Sequence, residues 1–272
     1  MKPAPFDYAR ASSIAEAASL AAQAGVDAAF LAGGQSLIAM LNMRVVTPKL
    51  LIDVSRVEDA KHIHESGDHV AIGCSVRQSE LEQWSSLDRC LPLVAKAIPW
   101  VGHIQTRNRG TVCGSIAHAD PSSELPLCLS TMDGDLMLVS RRRKRTVKAR
   151  DFFVGALQTS RFEGELISEI RFPCSQDVTG SAFREFAIRH GDFAIISVAV
   201  LARTDRLTIG IGGGADRPEV RELPMLEGKQ LDDALNEFAW SLDCQDDLHA
   251  TAVYRRHLIR TLGKQAILEA VA

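Results

Sequence analysis

The feature that most constrains this chain is a pair of small-residue loops far apart in sequence. Ala28 to Ala32 reads as a short buried strand, Gly33-Gly34-Gln35-Ser36 as a tight loop, and Leu37 to Arg44 as the start of a helix. Glycines placed there let backbone N–H groups approach an anionic oxygen, and the following helix N-terminus adds a favourable dipole. The second loop lies in Thr106-Arg107-Asn108-Arg109-Gly110-Thr111-Val112-Cys113-Gly114-Ser115, where Thr111, Gly114 and Ser115 leave room and donors for a diphosphate. Downstream, Glu124 is placed to accept hydrogen bonds from ligand hydroxyls. Taken singly, the first loop also fits a plain strand-to-helix turn and the second an ordered surface loop; neither GxGxxG nor GxxxxGK[ST] occurs. Together they predict a grip on opposite sides of one dinucleotide.

The 272 residues suggest two domains of ordinary size. With 46% hydrophobic and 24% charged residues, the composition is that of a folded chain with a substantial core. A net charge of −3 gives no electrostatic case for nucleic acid or an anionic membrane. The longest apolar run, Phe193 to Ala202, is about half of the roughly 20 residues a membrane-spanning helix needs. Lys2, Pro3, Pro5 and Asp7 stand where a secretory signal would carry an apolar stretch, so a cytoplasmic location is expected. Cys74, Cys90, Cys113, Cys128, Cys174 and Cys244 are widely spaced, with no CxxC. That pattern predicts buried reduced thiols and no self-contained zinc or iron–sulfur site.

Ser13 followed by Glu16 is a capping-box spacing, and the Ala-rich stretch from Ile14 ends at Gly25, which predicts a helix over 14–24. Further strands are expected at 50–54 and 69–73, and a short apolar helix at 91–98. From Trp100 to Pro126 periodicity is weak, and the stretch reads as a long, ordered, irregular segment of the kind that carries function. Leu136 to Val139 and Thr146 to Lys148 read as hairpin arms around the basic run Arg141 to Arg145, and Leu166 to Phe172 as a strand closed by Pro173. Polar and small residues over 174–180 mark a domain boundary. Beyond it, 182–188, 193–202 and 207–212 read as three strands, followed by helices at 231–242 and from 246 onward.

The combination of Ala32-Gly33-Gly34-Gln35-Ser36 with Arg107 to Ser115, Ala119-Asp120-Pro121 and Glu124-Leu125-Pro126 resembles the FAD-binding medium subunit of the molybdenum hydroxylases. That family includes carbon monoxide dehydrogenase and xanthine dehydrogenase. Further matches are Glu165-Leu166-Ile167, Arg189-His190-Gly191-Asp192-Phe193-Ala194 and Gly212-Gly213-Gly214, so the resemblance spans essentially the whole chain. It implies an α+β fold: a two-lobed FAD-binding domain of the vanillyl-alcohol-oxidase/PCMH type over 1–176, with lobes at about 1–55 and 56–176. A small α+β domain over 177–272 follows, with a three-stranded antiparallel sheet plus helices.

By the same resemblance, Ala32, Gly33, Gly34, Gln35, Ser36 and Leu37, together with Thr111, Cys113, Gly114 and Ser115, hold the FAD diphosphate. Glu124 and Ile167 contact the flavin part, Arg184 falls at a basic position near it, and Phe193 covers one ring face. Asp192 holds the loop that presents Phe193. Many relatives carry Gly-Gly where this chain has Cys113-Gly114; a cysteine is compatible with binding if its φ is negative and its side chain points away.

The implied role is electron transfer. The molybdenum cofactor sits in a large subunit, [2Fe-2S] clusters in a small one, and the FAD of this chain delivers electrons to an external acceptor, typically within a dimer of heterotrimers. A free-standing flavin oxidase of the same superfamily is the alternative, and would be expected to carry a larger substrate domain than the roughly 95 residues after the boundary. A flavin-free binding module is another. The basic run Arg141 to Arg145 lacks interleaved aromatics and reads as a solvated hairpin tip or a subunit contact. His118 and His190 read as polar packing, because one-electron flavin reduction needs no general base.

Overall fold

The computed structural model describes residues 2–174 and 177–272. A helix at Ile14–Ala24 begins where Ser13 Oγ accepts the Glu16 N–H at 3.1 Å and stops at Gly25, whose φ of 58° is open to glycine. The Glu16 carboxylate accepts from the Ser12 N–H at 2.7 Å, one residue earlier than the expected capping box. Ala17, Ala18 and Ala21 form its buried face, small enough to lie close over the first sheet.

That sheet is parallel and three-stranded, with Leu50–Asp53 in the centre, Asp7–Arg10 on one side and Ala28–Leu31 on the other. Asp7–Arg10 was not legible as a strand because it is an edge whose side chains are mostly exposed. The second lobe is an antiparallel five-stranded sheet in the order Ile63–Ser66, His69–Gly73, Leu166–Pro173, Asp135–Val139, Lys144–Lys148.

Residues 100–126 correct the expectation of an irregular segment. They hold helices at Ile104–Arg107 and Val112–His118 and the start of a third at Glu124–Thr131. The first two are too short to show a period. The third is buried on every side, so it has no polar face to set against an apolar one. Pro126 falls in its first turn, where the missing N–H costs no helix bond.

The boundary expected at 176 falls on residues 175 and 176, which lie outside the described residues. Beyond it the antiparallel sheet has four strands rather than three: Val178–Phe186, Ile196–Arg203, Arg206–Gly212 and Glu219–Pro224. The fourth was hidden because Leu223 is its only buried residue. Helices Gly228–Ser241 and Ala252–Val271 cover one face of this sheet and helix Glu124–Thr131 approaches the other. At Gly210 a Cβ would overlap Thr131 Oγ1 and lie 2.9 Å from Leu127 Cδ1, so glycine there sets how closely helix and sheet meet. Covered on both faces, Ile196–Arg203 is buried almost throughout, which accounts for the long apolar run in the sequence.

Candidate functional site

The two loops meet backbone to backbone. A Cβ on Gly33 would overlap the Arg109 carbonyl oxygen, with the Gly110 Cα only 2.5 Å away. One on Gly114 would lie 2.7 Å from Thr111 Oγ1 and 3.4 Å from Ala32 Cβ. Around this contact opens a cavity of about 600 Å³, lined by residues 32–37 from the first loop and by Thr111, Cys113, Gly114 and Ser115 from the second. Ile167 also lines it, so eleven of the fifteen residues expected at the site are brought together.

The local chemistry suits an anionic ligand. Among the described residues, no protein acceptor takes the backbone N–H groups of Gly33 to Leu37, while the Gln35 side chain folds back onto the Gly33 carbonyl at 3.2 Å. In the second loop, Thr111 caps the helix Val112–His118 by accepting the Gly114 N–H at 3.0 Å, and the Gln78 N–H pins the Gly110 carbonyl at 2.9 Å. Cys113 is helical and 3% exposed, its Sγ directed to the Ile72 carbonyl at 3.6 Å, and burial pushes its thiol well up. Its side chain therefore belongs to the core and leaves the ligand side of the turn open.

The third wall, Thr159 and Arg161 to Ile167, was only partly legible. Its conformation depends on Arg145, whose guanidinium holds both oxygens of Glu165 at 2.8 and 2.7 Å and the Ser160 carbonyl at 2.7 Å, and lies 4.5 Å from the centre of the Phe162 ring. The basic run thus splits: Arg141 to Arg143 are mostly exposed at the hairpin tip, whereas Arg145 turns inward and is structural. Arg161 was not foreseen at all; no motif singles it out. His118 lines the cavity, while His190 packs edge-on against Trp100 with ring centres 5.2 Å apart.

Glu124, Arg184, Asp192 and Phe193 do not line the cavity. Arg184 reaches Glu269 at 2.7 Å. Asp192 and Phe193 lie in the connection between Val178–Phe186 and Ile196–Arg203, and Phe193 is 71% exposed. Glu124 is buried in the first turn of its helix, where burial, with Asp120 adding to it, raises its carboxyl to about 7. Close enough to feel the Glu124 charge, Glu185 has both carboxyl oxygens buried with no partner among the described residues, and Ser197, opposite it in register, has a hydroxyl likewise without one. Burial and the Glu124 charge push Glu185 to about 9.

These shifts carry a pH prediction. Glu185 stays protonated in the fold up to about pH 9 but ionises in the unfolded chain near its ordinary value, so stability falls as pH rises between the two. Thermal melts of the flavin-free protein should show Glu185→Gln about 5 °C more stable than the parent at pH 8, the gain vanishing towards pH 5. Equal melts at both pH values would show that this carboxyl ionises freely.

Among the described residues, no group of His, Cys, Asp and Glu is arranged to hold a metal ion, and no helix is long and apolar enough to cross a membrane. Residues 4–175 match the family described as FAD binding domain in molybdopterin dehydrogenase. The chain is 35% identical to the 6-hydroxypseudooxynicotine dehydrogenase complex subunit alpha of Paenarthrobacter nicotinovorans, over 100% of this chain and 96% of that one. Among solved structures, carbon monoxide dehydrogenase from Hydrogenophaga pseudoflava superposes with a TM-score of 0.93 at 30% identity, covering 99% of this chain and 98% of that one. Carbon monoxide dehydrogenase from Oligotropha carboxidovorans gives 0.95 at 29%, covering 99% of both. The paired glycine loops, the cavity between them and these likenesses over the full length place the chain in the family of FAD-binding medium subunits of the molybdenum hydroxylases.

Proposed function

We propose that this chain is the electron-transfer flavoprotein subunit of a molybdenum hydroxylase, taking electrons from [2Fe-2S] clusters of a small subunit and passing them to an external acceptor. The observation that carries the proposal is the close approach of Gly33 to Arg109 and Gly110, which turns two distant loops into one cradle. The residues fit FAD: the unclaimed N–H groups of Gly33 to Leu37 suit its diphosphate, and Cys113 keeps its side chain out of the way. When bound, FAD supplies a centre that exchanges electrons singly or in pairs.

In this reading residues 32–37, Thr111, Cys113, Gly114 and Ser115 hold the diphosphate, and Ile167 contacts the ring. Glu124, Arg184, Asp192 and Phe193 belong to the ring end, at the seam with the C-terminal sheet. The exposed Phe193 ring is available there to cover a flat ligand and shield it from water. Residues 1–176 form the FAD-binding domain and 177–272 the C-terminal domain, a division supported by their separate sheets. The hydroxylation itself belongs to a large molybdenum-bearing subunit. The family resemblance supports a dimer of heterotrimers in the cytoplasm.

Coexpression with the neighbouring reading frames, followed by flavin and metal analysis, tests this. The expected result is a complex with one FAD per copy of this chain and with molybdenum and iron on its partners. A well-folded, colourless chain that takes up no FAD would favour a binding module. A yellow chain that oxidises an organic substrate alone would favour the free-standing oxidase.

A further inference from the structure

Arg161 is a cavity-wall cation to which the described residues supply no counter-ion. Among the described residues, no carboxylate lies within ion-pair distance of it, and its Nε donates to Thr159 Oγ1 at 3.1 Å. The acid that influences it, Glu165, is already held through both oxygens by Arg145 and accepts the Phe162 N–H at 2.8 Å. Burial holds the Arg161 guanidinium below the usual arginine value. A partly desolvated cation without a partner is costly, and its persistence beside a cradle of N–H donors points to an anionic ligand shared by both.

The position along the cavity narrows the ligand. The segment 161–165 adjoins the first lobe at Gly25, where a Cβ would lie 3.1 Å from Glu163 Oε1, and Gly25, Val26 and Ala28 line the cavity there. The C-terminal sheet contributes no described residue to the cavity wall; of the residues assigned to the flavin ring, Ile167 lines the cavity at the far end of the 161–167 wall, and Glu124, Arg184, Asp192 and Phe193 sit on or beside that sheet. Arg161 therefore belongs to the part of the wall that adjoins the first lobe at Gly25, at the opposite end of the 161–167 segment from Ile167. We infer that the Arg161 guanidinium binds the ADP half of FAD, adding to the two loops a positive charge that neutral amides cannot supply. Its planar fork matches a pair of phosphate oxygens, and its N–H donors suit a ribose hydroxyl oxygen equally. This inference rests on the cavity being the FAD site.

The test is a titration of the full-length chain, stripped of flavin, with FAD and separately with ADP, each followed by calorimetry. Arg161→Leu should weaken both ligands by a similar factor, about 10-fold to 100-fold, as expected for loss of charge-assisted hydrogen bonds. Arg161→Lys should recover part of the loss, since it keeps the charge but not the fork. If the leucine variant folds poorly, Arg161→Gln should show the same paired loss. Unchanged affinity for both ligands would overturn the inference, as would a loss confined to FAD, which would move Arg161 to the ring half. Failure of the unmodified chain to bind either FAD or ADP would instead overturn the proposed function.

Discussion

Gly33→Ala should leave the purified protein with less than about a tenth of its FAD. The added Cβ would overlap the Arg109 carbonyl oxygen and come within 2.8 Å of the Arg109 carbonyl carbon and 2.5 Å of the Gly110 Cα. These are backbone atoms and have no rotamer to escape into, so the two loops must part. Parting separates the N–H groups of 33–37 from the turn 111–115, and the dinucleotide loses simultaneous contact with both loops. A loss of more than about 100-fold in affinity is expected, on the scale of several charge-assisted hydrogen bonds lost together. The C-terminal core shares no residue with this contact and should keep its melting behaviour. Gly67→Ala is the control. Its φ of 54° makes the substitution mildly strained, yet nothing lies within 4 Å of the new Cβ, so flavin content should be unchanged. Flavin absorbance per protein after gel filtration reads both variants.

Arg145→Ala should cost about 3–5 kcal/mol of stability, the range for breaking a buried pair from one side. Glu165 is 3% exposed, and Arg145 holds both its oxygens. Burial alone would raise the Glu165 carboxyl, but the hydrogen bonds from Arg145 and the Phe162 N–H outweigh it and hold the group below the usual range. Truncating the arginine leaves that charge buried and unanswered. Glu165→Leu in the same background should recover much of the loss, because no buried charge then remains. Denaturant titrations of the two single variants and the double variant measure the coupling. Additive losses would show that the pair is not coupled in the way its geometry indicates. Because Arg145 also holds Ser160, its loss should loosen the 160–165 wall and weaken FAD binding as well.

Much of the fold was legible because its signals are local. Ser13 and Gly25 bracket a helix by capping chemistry, and the arms of the hairpin 135–148 show β periodicity around polar tip residues. What escaped notice lacks a local signal. Residues 100–126 hide three helices because two are very short and the third has no polar face. The edge strands Asp7–Arg10 and Glu219–Pro224 bury almost nothing, so their patterns resemble loops.

The site divides in the same way. Both glycine loops stood out as sequence motifs, yet their meeting at Gly33 is a tertiary fact carried by pairs such as Gln78 with Gly110. Nothing in the run Arg141 to Arg145 distinguishes the one arginine that turns inward. The inward direction follows from strand alternation combined with a buried Glu165 on another strand's approach, which no short window contains. Arg161 and Glu185 likewise become notable only once burial and missing partners are known.

Hydrogen exchange at individual amides, with and without FAD, bears most directly on the claim that two remote loops share a single pyrophosphate. On adding FAD, Gly33 to Leu37 and the Cys113 amide, which among 112–115 is the one N–H that no described protein acceptor takes, should become protected together, and ADP alone should protect both to a large extent. Protection of one loop without the other, or of neither, would contradict that claim.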